Sequence, residues 1–171
     1  MSLISVEDAH RRLVGAAEPI RRQVAVPLRE AAGRVLAEDI VAQRTQPGFD
    51  ASAMDGYALR AEDTKPPFRP LRVIGESAAG RAFVGHIAPG EAVRIFTGAP
   101  VPEGADAILI QEDAERTDEG ALVPTEAVSP RQHIRPAGVD FSAGAVLLGA
   151  GKRLTPGAVA LAASGGHPVL A

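Results

Sequence analysis

Residues 92–112 read AVRIFTGAPVPEGADAILIQE, and this segment indicates how the middle of the chain is built. Two apolar runs stand on either side of a segment that is rich in glycine and proline. The second run, Ala107–Ile110, does not alternate between apolar and polar residues, which indicates a strand buried on both faces. The stretch therefore predicts two core strands joined by a stiff loop.

The same pattern of short apolar runs and turn residues extends from Pro47 to Ile134. Short apolar runs (MDGYALRA, LRVIGES, GALVPTE) are separated by proline and glycine clusters (KPPFRP, IAPGE). Such spacing is typical of a compact all-β domain. We therefore predict an all-β domain over residues 47–134.

The sequence before this region indicates helices. Ser5 suits the N-cap of a helix from Val6 to Ala17, which Pro19 ends or follows. Residues 23–28 then alternate as in a short strand, and residues 28–37 (LREAAGRVLA) predict a second short helix. The segment EDIVA (38–42) is expected to be extended.

The sequence after this region predicts a glycine-rich hairpin over residues 139–154 and a last helix. Thr155 is the expected N-cap, Pro156 the first helical residue and Gly165-Gly166 the stop. This helix is almost wholly apolar or small, so it needs a cover, for which the N-terminal helices are candidates. The predicted class is α+β: a discontinuous α/β domain (1–46 plus 135–171) with an inserted all-β domain (47–134).

Composition excludes several classes of function. Eighteen Lys and Arg face 21 Asp and Glu, a formal net charge of -3 without a block of like charges, which argues against binding to nucleic acid. The absence of cysteine excludes disulfides and thiolate metal ligands. No secretory leader and no apolar run of about 18 residues is present, so we expect no membrane association and a cytoplasmic location.

Residues 49–60, FDASAMDGYALR, place two carboxylates five residues apart. Asp50 and Asp55 would point to opposite faces of a regular strand, so a shared site requires a turn between them. The simpler interpretation is that Asp50 caps a turn at Ala51-Ser52 and that Asp55 bonds the backbone at Gly56. The alternatives are a functional site and, as a further idea, a hydrolase whose two carboxyl groups lie about 5–9.5 Å apart.

Two further loops contain candidate residues. Thr97 precedes Gly98 in a stiff loop whose hydroxyl and backbone N–H groups could bind an oxyanion, although the loop could equally be a simple turn between strands. In IRPAGVDF (134–141), Arg135 and Asp140 flank a turn and could pair with each other or bind a charged ligand.

Three stretches together resemble a known family. SAMDGYALR, VRIFTGAPVPEGADAILIQE and IRPAGVDFSAGAVLLGAGKRLTP occur in the order found in the molybdopterin molybdenumtransferases, the molybdenum insertases related to the E domain of gephyrin. The resemblance covers essentially the whole chain but only the N-terminal two of the family's four domains. A pterin-binding domain is therefore expected in the same or a separate chain.

The resemblance implies a dimeric enzyme that inserts molybdate into adenylylated molybdopterin with the help of Mg²⁺ and releases AMP. It implies that Asp55, Thr97 and Asp140 are catalytic-site residues and that Arg135 is the basic residue that binds the cofactor precursor. Val139 stands where the family often has an acid, so this turn offers one carboxylate. No protein ligand set for a metal follows from it.

Two functions are compatible with these features. In the first, the chain is the N-terminal part, or a short homologue, of a molybdenum insertase, and is inactive without the pterin-binding domain. In the second, it is a non-catalytic dimerisation or partner-binding module that retains the fold. The retained Asp55 and Asp140 favour the first.

Overall fold

The computed structural model describes residues 4–18 and 20–171, which form a mixed α/β structure made mostly of short strands. Within these residues the α-helices are α1, Val6–Ala16, and α2, Pro156–Ser164. Short 3-10 helices span Leu28–Glu30, Ala61–Thr64 and Gln111–Asp113. The strands described, β1 to β12 in chain order, are Val26–Pro27, Ile40–Val41, Ala51–Ser52, Gly56–Leu59, Arg72–Ser77, Glu91–Ile95, Ala107–Ile110, Ala114–Arg116, Leu122–Pro124, Ile134–Arg135, Val146–Leu148 and Val169–Leu170.

A four-stranded sheet in the order β5-β6-β4-β7 forms the centre of the middle region. β4 runs antiparallel to both of its neighbours, and β5 runs parallel to β6. Every residue of β4 is buried, as are Ala107, Ile108 and Leu109 of β7. The prediction that Ala107–Ile110 is buried on both faces is therefore confirmed for its first three residues.

Apolar side chains cover both faces of this sheet. Tyr57 and Leu59 belong to a cluster on one face, whereas Ala58 belongs to a cluster on the other. This alternation follows from the two-residue period of a strand. Because both faces of β4 are packed, the position of the residue that immediately precedes it is fixed from two sides.

The two ends of the chain meet in a separate apolar cluster. β1 pairs with β12, and β2 pairs with β11, both antiparallel. The cluster combines residues from the two ends: Ala31, Leu36, Ile40, Leu148, Leu154, Ala158, Ala162 and Leu170. The division into domains of residues 1–46 plus 135–171 and 47–134 stays a prediction.

Helix α2 begins and ends as predicted. The Thr155 side chain accepts a hydrogen bond from the N–H of Ala158, Pro156 is the first helical residue, and Gly165 is the C-cap. Arg44 donates to the carbonyls of Ala163 and Ser164, which satisfies part of the helix end. The last helix was therefore readable from its capping residues alone.

The helix predicted over residues 28–37 is wrong. Only Leu28–Glu30 is helical, as one 3-10 turn, and the strand expected over residues 23–28 is limited to Val26–Pro27. Gly33 has φ +83° and donates to the carbonyl of Leu154 at 2.7 Å. The segment turns there because its hydrogen bonds lie in a distant part of the chain, which overrides the local helical pattern.

The glycine-rich hairpin predicted over residues 139–154 is also wrong. Its strand β11 pairs with β2, and Arg153 forms a bridge with Val35. The partner strand of β11 thus lies in residues 38–42, the segment that was predicted to be extended. Strand pairing over about a hundred residues leaves no local trace in the sequence.

Helix α1 corrects a third prediction. Its N-cap is Ser5, which accepts from the N–H of Asp8 at 3.0 Å, so the predicted start is confirmed. No side chain of α1 is buried, however, and Val6 is 86 % exposed, so α1 does not cover α2. Pro19, predicted to end or follow the helix, lies outside the described residues. Neither α1 nor α2 has the length and apolar character that crossing a bilayer would require, in the residues described.

Candidate functional site

Asp55 and Thr97 meet where β4 begins and β6 has ended. Asp55 directly precedes β4, and the register pairs Gly56 with Ile95, two residues before Thr97. The N–H and the hydroxyl of Thr97 both donate to Oδ1 of Asp55, each at 2.8 Å. The interpretation that Asp55 bonds the backbone at Gly56 is therefore wrong, because its partner lies 42 residues away.

Asp55 presents its other oxygen to solvent. The residue is exposed, and Oδ2 has no hydrogen-bond partner within residues 4–18 and 20–171. The backbone and hydroxyl donors of Thr97 lower the pKa of Asp55, and the nearby charge of Arg94 adds to this effect. At neutral pH the group is thus an anion with one oxygen anchored and one open.

Gly56 permits this geometry. A Cβ at this position would lie 2.0 Å from the carbonyl oxygen of Leu109 and 2.9 Å from the Cα of Ile110. Only glycine lets β4 and β7 approach so closely. The glycine next to Asp55 is therefore required by the close packing of β4 against β7.

Arg94 is a site residue that the sequence analysis missed. Its guanidinium lies over the rings of Tyr57 and Phe96, with its Cζ 5.1 and 4.9 Å from the ring centroids. It donates to the carbonyl of Gly56 at 3.2 Å and to Oε1 of Gln111 at 2.8 Å. The available signal was a single cation inside the apolar run AVRIF, which a buried strand retains only with partners.

The predicted role of Thr97 in binding an oxyanion is not supported by its contacts. Both of its donors are engaged by Asp55, and the N–H of the following Gly98 donates to the carbonyl of Ser52 at 2.8 Å. These N–H groups of the loop are therefore already engaged by the segment of Ser52 and Asp55. The loop's contribution is to hold the carboxylate of Asp55.

Arg135 and Asp140 form an ion pair across their turn. Nη2 of Arg135 lies 3.0 Å from Oδ1 of Asp140, and the two side chains are 54 and 46 % exposed. The turn passes through Gly138, which has φ +75°. The N–H groups of Gly138 and Asp140 donate to the carbonyls of Pro47 and Gln46, which ties the turn to the segment before β3.

A hollow of about 300 Å³ brings these loops together. Its lining includes Thr97, Arg135 and Asp140, together with the half-exposed ring of Phe49. Asp55 is not part of the lining but is bonded to Thr97 at its edge. Three of the four predicted residues thus share one cavity, and the fourth adjoins it.

Asp50 has partners that differ from those of Asp55. Its Oδ2 accepts from Arg131 at 2.5 Å and its Oδ1 from the N–H of Ala137 at 2.9 Å. The interpretation that Asp50 caps a turn at Ala51-Ser52 is therefore wrong, and Ser52 instead bonds its own turn through Oγ. Since both oxygens of Asp50 are engaged, the two-carboxylate hydrolase gains no support.

No metal-binding cluster is formed by the described part of the chain. Within residues 4–18 and 20–171, no three His, Cys, Asp or Glu side chains are grouped so that they could hold an ion. The open oxygen of Asp55 is a single potential ligand. A cation at this position would need further oxygen ligands from a substrate, from water or from another domain.

The chain matches the family model described as the MoeA N-terminal region (domain I and II) over residues 4–166. It is 44 % identical over 137 residues to a molybdopterin molybdenumtransferase of Haemophilus influenzae. It is also 44 % identical over 166 residues to molybdopterin molybdenumtransferase 2 of Mycobacterium tuberculosis.

The fold has a counterpart among solved structures. The molybdopterin biosynthesis moeA protein of Pyrococcus horikoshii superposes with a TM-score of 0.92 at 37 % identity and covers 99 % of this chain. The chain spans 45 % of that structure, 34 % of the Haemophilus relative and 40 % of the Mycobacterium relative. The alignments cover 80 and 94 % of this chain for the two relatives.

Proposed function

The chain belongs to the family of MoeA N-terminal regions, and from this premise we propose that it supplies one wall of an active site for molybdate insertion. The reaction would transfer molybdate into adenylylated molybdopterin and release AMP and molybdenum cofactor. The names of the relatives support the reaction class. The other wall would come from a pterin-binding domain in the same or a separate chain.

Asp55 is the observation that carries this proposal. It is an exposed carboxylate with one oxygen fixed by two donors and the other open, at the start of a central strand of the sheet. Its lowered pKa makes it a weak base, so its role is to orient water or a cation rather than to remove a proton. An anion also repels molybdate and phosphate directly, which agrees with an indirect role.

Mg²⁺ fits this position as a shared ion. Protein sites often hold Mg²⁺ through one or two carboxylates while substrate phosphates and water complete the octahedron. Asp55 would be a ligand from this chain, and the described residues do not place it in a group of three or more potential metal ligands. When bound, the ion would neutralise charge on the phosphate oxygens.

Thr97, Arg135 and Asp140 would complete this wall. Thr97 holds Asp55 in one orientation, because two donors from one residue restrict the rotation of the carboxylate. Arg135 would bind an anionic part of the substrate in the hollow, and Asp140 keeps its guanidinium in place until then. The half-exposure of both side chains is compatible with access from a second domain.

The assembly proposed for the intact enzyme is a cytoplasmic homodimer. In this arrangement the inserted unit of residues 47–134 faces the pterin-binding domain of the other subunit. The unit of residues 1–46 plus 135–171 contributes to the dimer. Separate apolar clusters in the middle and at the ends of the chain support such a division.

The proposal is tested by reconstitution. The chain is mixed with the separately produced remainder of a relative, and AMP release from adenylylated molybdopterin is measured with molybdate and Mg²⁺. We expect release from the mixture and none from the chain alone. Release by the chain alone would refute the need for a second domain.

A partner-binding module without catalysis is the second candidate, and one observation favours it. Helix α1 has no buried side chain and exposes Leu13 and Val14 by 74 and 59 %, as an unpartnered docking helix would. Replacing Leu13 with Glu should abolish capture of the partner domain in a pull-down. Stable capture without any AMP release would support this function over the first.

A further inference from the structure

We propose that Asp50 is a positioning residue that fixes the turn carrying Arg135 and Asp140 relative to Asp55 and Thr97. This inference rests on the proposed function, because it concerns the same site. Asp50 touches neither the hollow's ion pair nor the Asp55 carboxylate in any hydrogen bond of the described residues. It acts through the segments that carry them.

Three segments converge on Asp50. Its Oδ2 accepts from Arg131, its Oδ1 accepts from the N–H of Ala137, and its carbonyl accepts from the N–H of Val101 at 2.9 Å. Val101 belongs to the loop that follows Thr97, and Ala137 lies inside the turn between Arg135 and Asp140. One residue therefore connects the two loops that border the hollow.

The neighbouring strand makes this connection effective. β3 follows Asp50 directly and pairs with β10, so that Ala51 lies opposite Arg135. On its other side, Ala51 bridges to Pro100, and the N–H of Ser52 donates to the carbonyl of Ala99 at 3.0 Å. β3 is thus held between the two loops, and Asp50 clamps its leading end.

Arg131 shows that the clamp holds an uncommon backbone. Arg131 and His133 have φ +68° and +58°. Residues other than glycine seldom adopt this region, although asparagine, aspartate and histidine do so more often than arginine. Such conformations persist where the surrounding contacts determine them, and they are frequent at functional sites. The Asp50 carboxylate is the contact that holds the Arg131 side chain in this loop.

An ordinary surface ion pair is the competing explanation. The side chains of Asp50 and Arg131 are 36 and 54 % exposed, and exposed pairs contribute little to stability. The bond to the N–H of Ala137 separates the two explanations, since a simple ion pair has no need of it. Asparagine at position 50 retains an acceptor for Ala137 but loses the charge, whereas alanine loses both.

Amide hydrogen exchange on the chain itself tests the inference independently of the reaction. In Asp50→Ala we expect exchange at Ala137 to accelerate by at least about tenfold, and in Asp50→Asn we expect it to stay near the wild-type rate. Glu76→Gln, which breaks the exposed ion pair of Arg81 and Glu76, is the matched control. The inference would be overturned if the N–H of Ala137 exchanged at the same rate in Asp50→Ala and wild type. It would also be overturned if Asp50→Asn and Asp50→Ala lost protection at Ala137 to the same extent.

The reconstituted transfer reaction adds a functional measurement. Asp50→Ala should lower kcat/KM roughly 10- to 100-fold, because a displaced turn misplaces Arg135, and Asp50→Asn should recover most of the rate. A rate for Asp50→Ala equal to that of Glu76→Gln would contradict the positioning role. Failure of the wild-type mixture to react would instead count against the proposed function, and the exchange result would still stand.

Discussion

The two carboxylates of the site, Asp55 and Asp140, are held in different ways. Asp55 is fixed by donors from beyond the end of a neighbouring strand, 42 residues away, and directly precedes a central strand of a sheet packed on both faces. Asp140 is paired with Arg135 five residues away, within a single exposed turn. Asp55 belongs to what we call the framework side, the four-stranded sheet with the contact between Asp55 and Thr97. Asp140 belongs to the loop side, the turn from Arg135 to Asp140.

The difference separates fixed from adjustable chemistry. Hydrogen bonds from a backbone N–H and a hydroxyl set both the place and the orientation of Asp55. The pair of Arg135 and Asp140 is screened by salt and can open when a ligand competes for either partner. We infer that the framework side presents a group to the reaction and that the loop side accommodates the substrate.

Gly56→Ala should have the largest effect on stability, because it disturbs the sheet that holds Asp55. The added methyl group would lie 2.0 Å from the backbone oxygen of Leu109, so β4 and β7 would have to separate. We expect a loss of about 3 kcal/mol or more in the free energy of unfolding, measured by chemical denaturation. Gly48→Ala, whose nearest contact is 3.8 Å away, is the control and should change little. Equal free energies of unfolding for the two variants would mean that the framework side is not rigid.

Gly138→Ala is the corresponding change on the loop side. Gly138 has φ +75°, and a Cβ there would lie 3.0 Å from Oγ of Ser142 and 3.2 Å from Cγ2 of Thr45. The left-handed backbone costs an L-residue about 1–2 kcal/mol, so a smaller loss than at Gly56 is expected in the same denaturation experiment. Gly149→Ala serves as the control, since its nearest contact is 3.9 Å away. A loss larger than that of Gly56→Ala would reverse the comparison.

Much of the fold could be predicted from the local sequence. The non-alternating run Ala107–Ile110, the Ser5 cap of α1 and the Thr155 cap of α2 each have a cause within a few residues. The errors lie where pairing is distant. Segments 28–37 and 139–154 form backbone hydrogen bonds with the opposite end of the chain. No local sequence pattern records this pairing.

The site was less readable than the fold. The resemblance to the family pointed to Asp55 and Thr97, but the bond between them follows from the register of β4 and β6. The contacts of Asp50 and Arg94 could not be read from the sequence for the same reason. The side-chain partners of Asp50 lie 81 and 87 residues away, and Arg94 bonds to a neighbouring strand. The short-range pair of Arg135 and Asp140 was among the contacts expected from the sequence. The contacts of Asp55, Asp50 and Arg94 join distant segments and could not be predicted.

Thr97→Val removes one of the two hydrogen-bond donors to Asp55. The pKa of Asp55 is held below its ordinary value, so it should rise in the variant, as followed by carboxyl NMR titration. Because the folded pKa is lowered, the stabilisation is present above the unfolded pKa of about 4 and is lost as pH falls through the folded pKa. The stability difference between wild type and Thr97→Val should therefore shrink below about pH 4. Thr117→Val is the control, and an unchanged Asp55 titration would show that the hydroxyl plays no part.

Asp140→Asn should have the smallest effect on stability. The exposed pair with Arg135 contributes only about 0–1 kcal/mol, and this contribution should decrease further as salt is added. Denaturation of the variant at low and high salt measures it. A loss above that range that persists in high salt would show that the loop side is as firmly built as the framework side.

We propose above that Asp55 acts in the transfer reaction from a fixed position on the sheet. The most direct measurement is single-turnover AMP release by the reconstituted mixture with Asp55→Asn, compared with Asp118→Asn in the exposed turn between β8 and β9. We predict that Asp55→Asn lowers the rate by at least about 100-fold while the fold and partner binding are retained, and that Asp118→Asn does not change it. A rate for Asp55→Asn equal to that of the control would contradict the account.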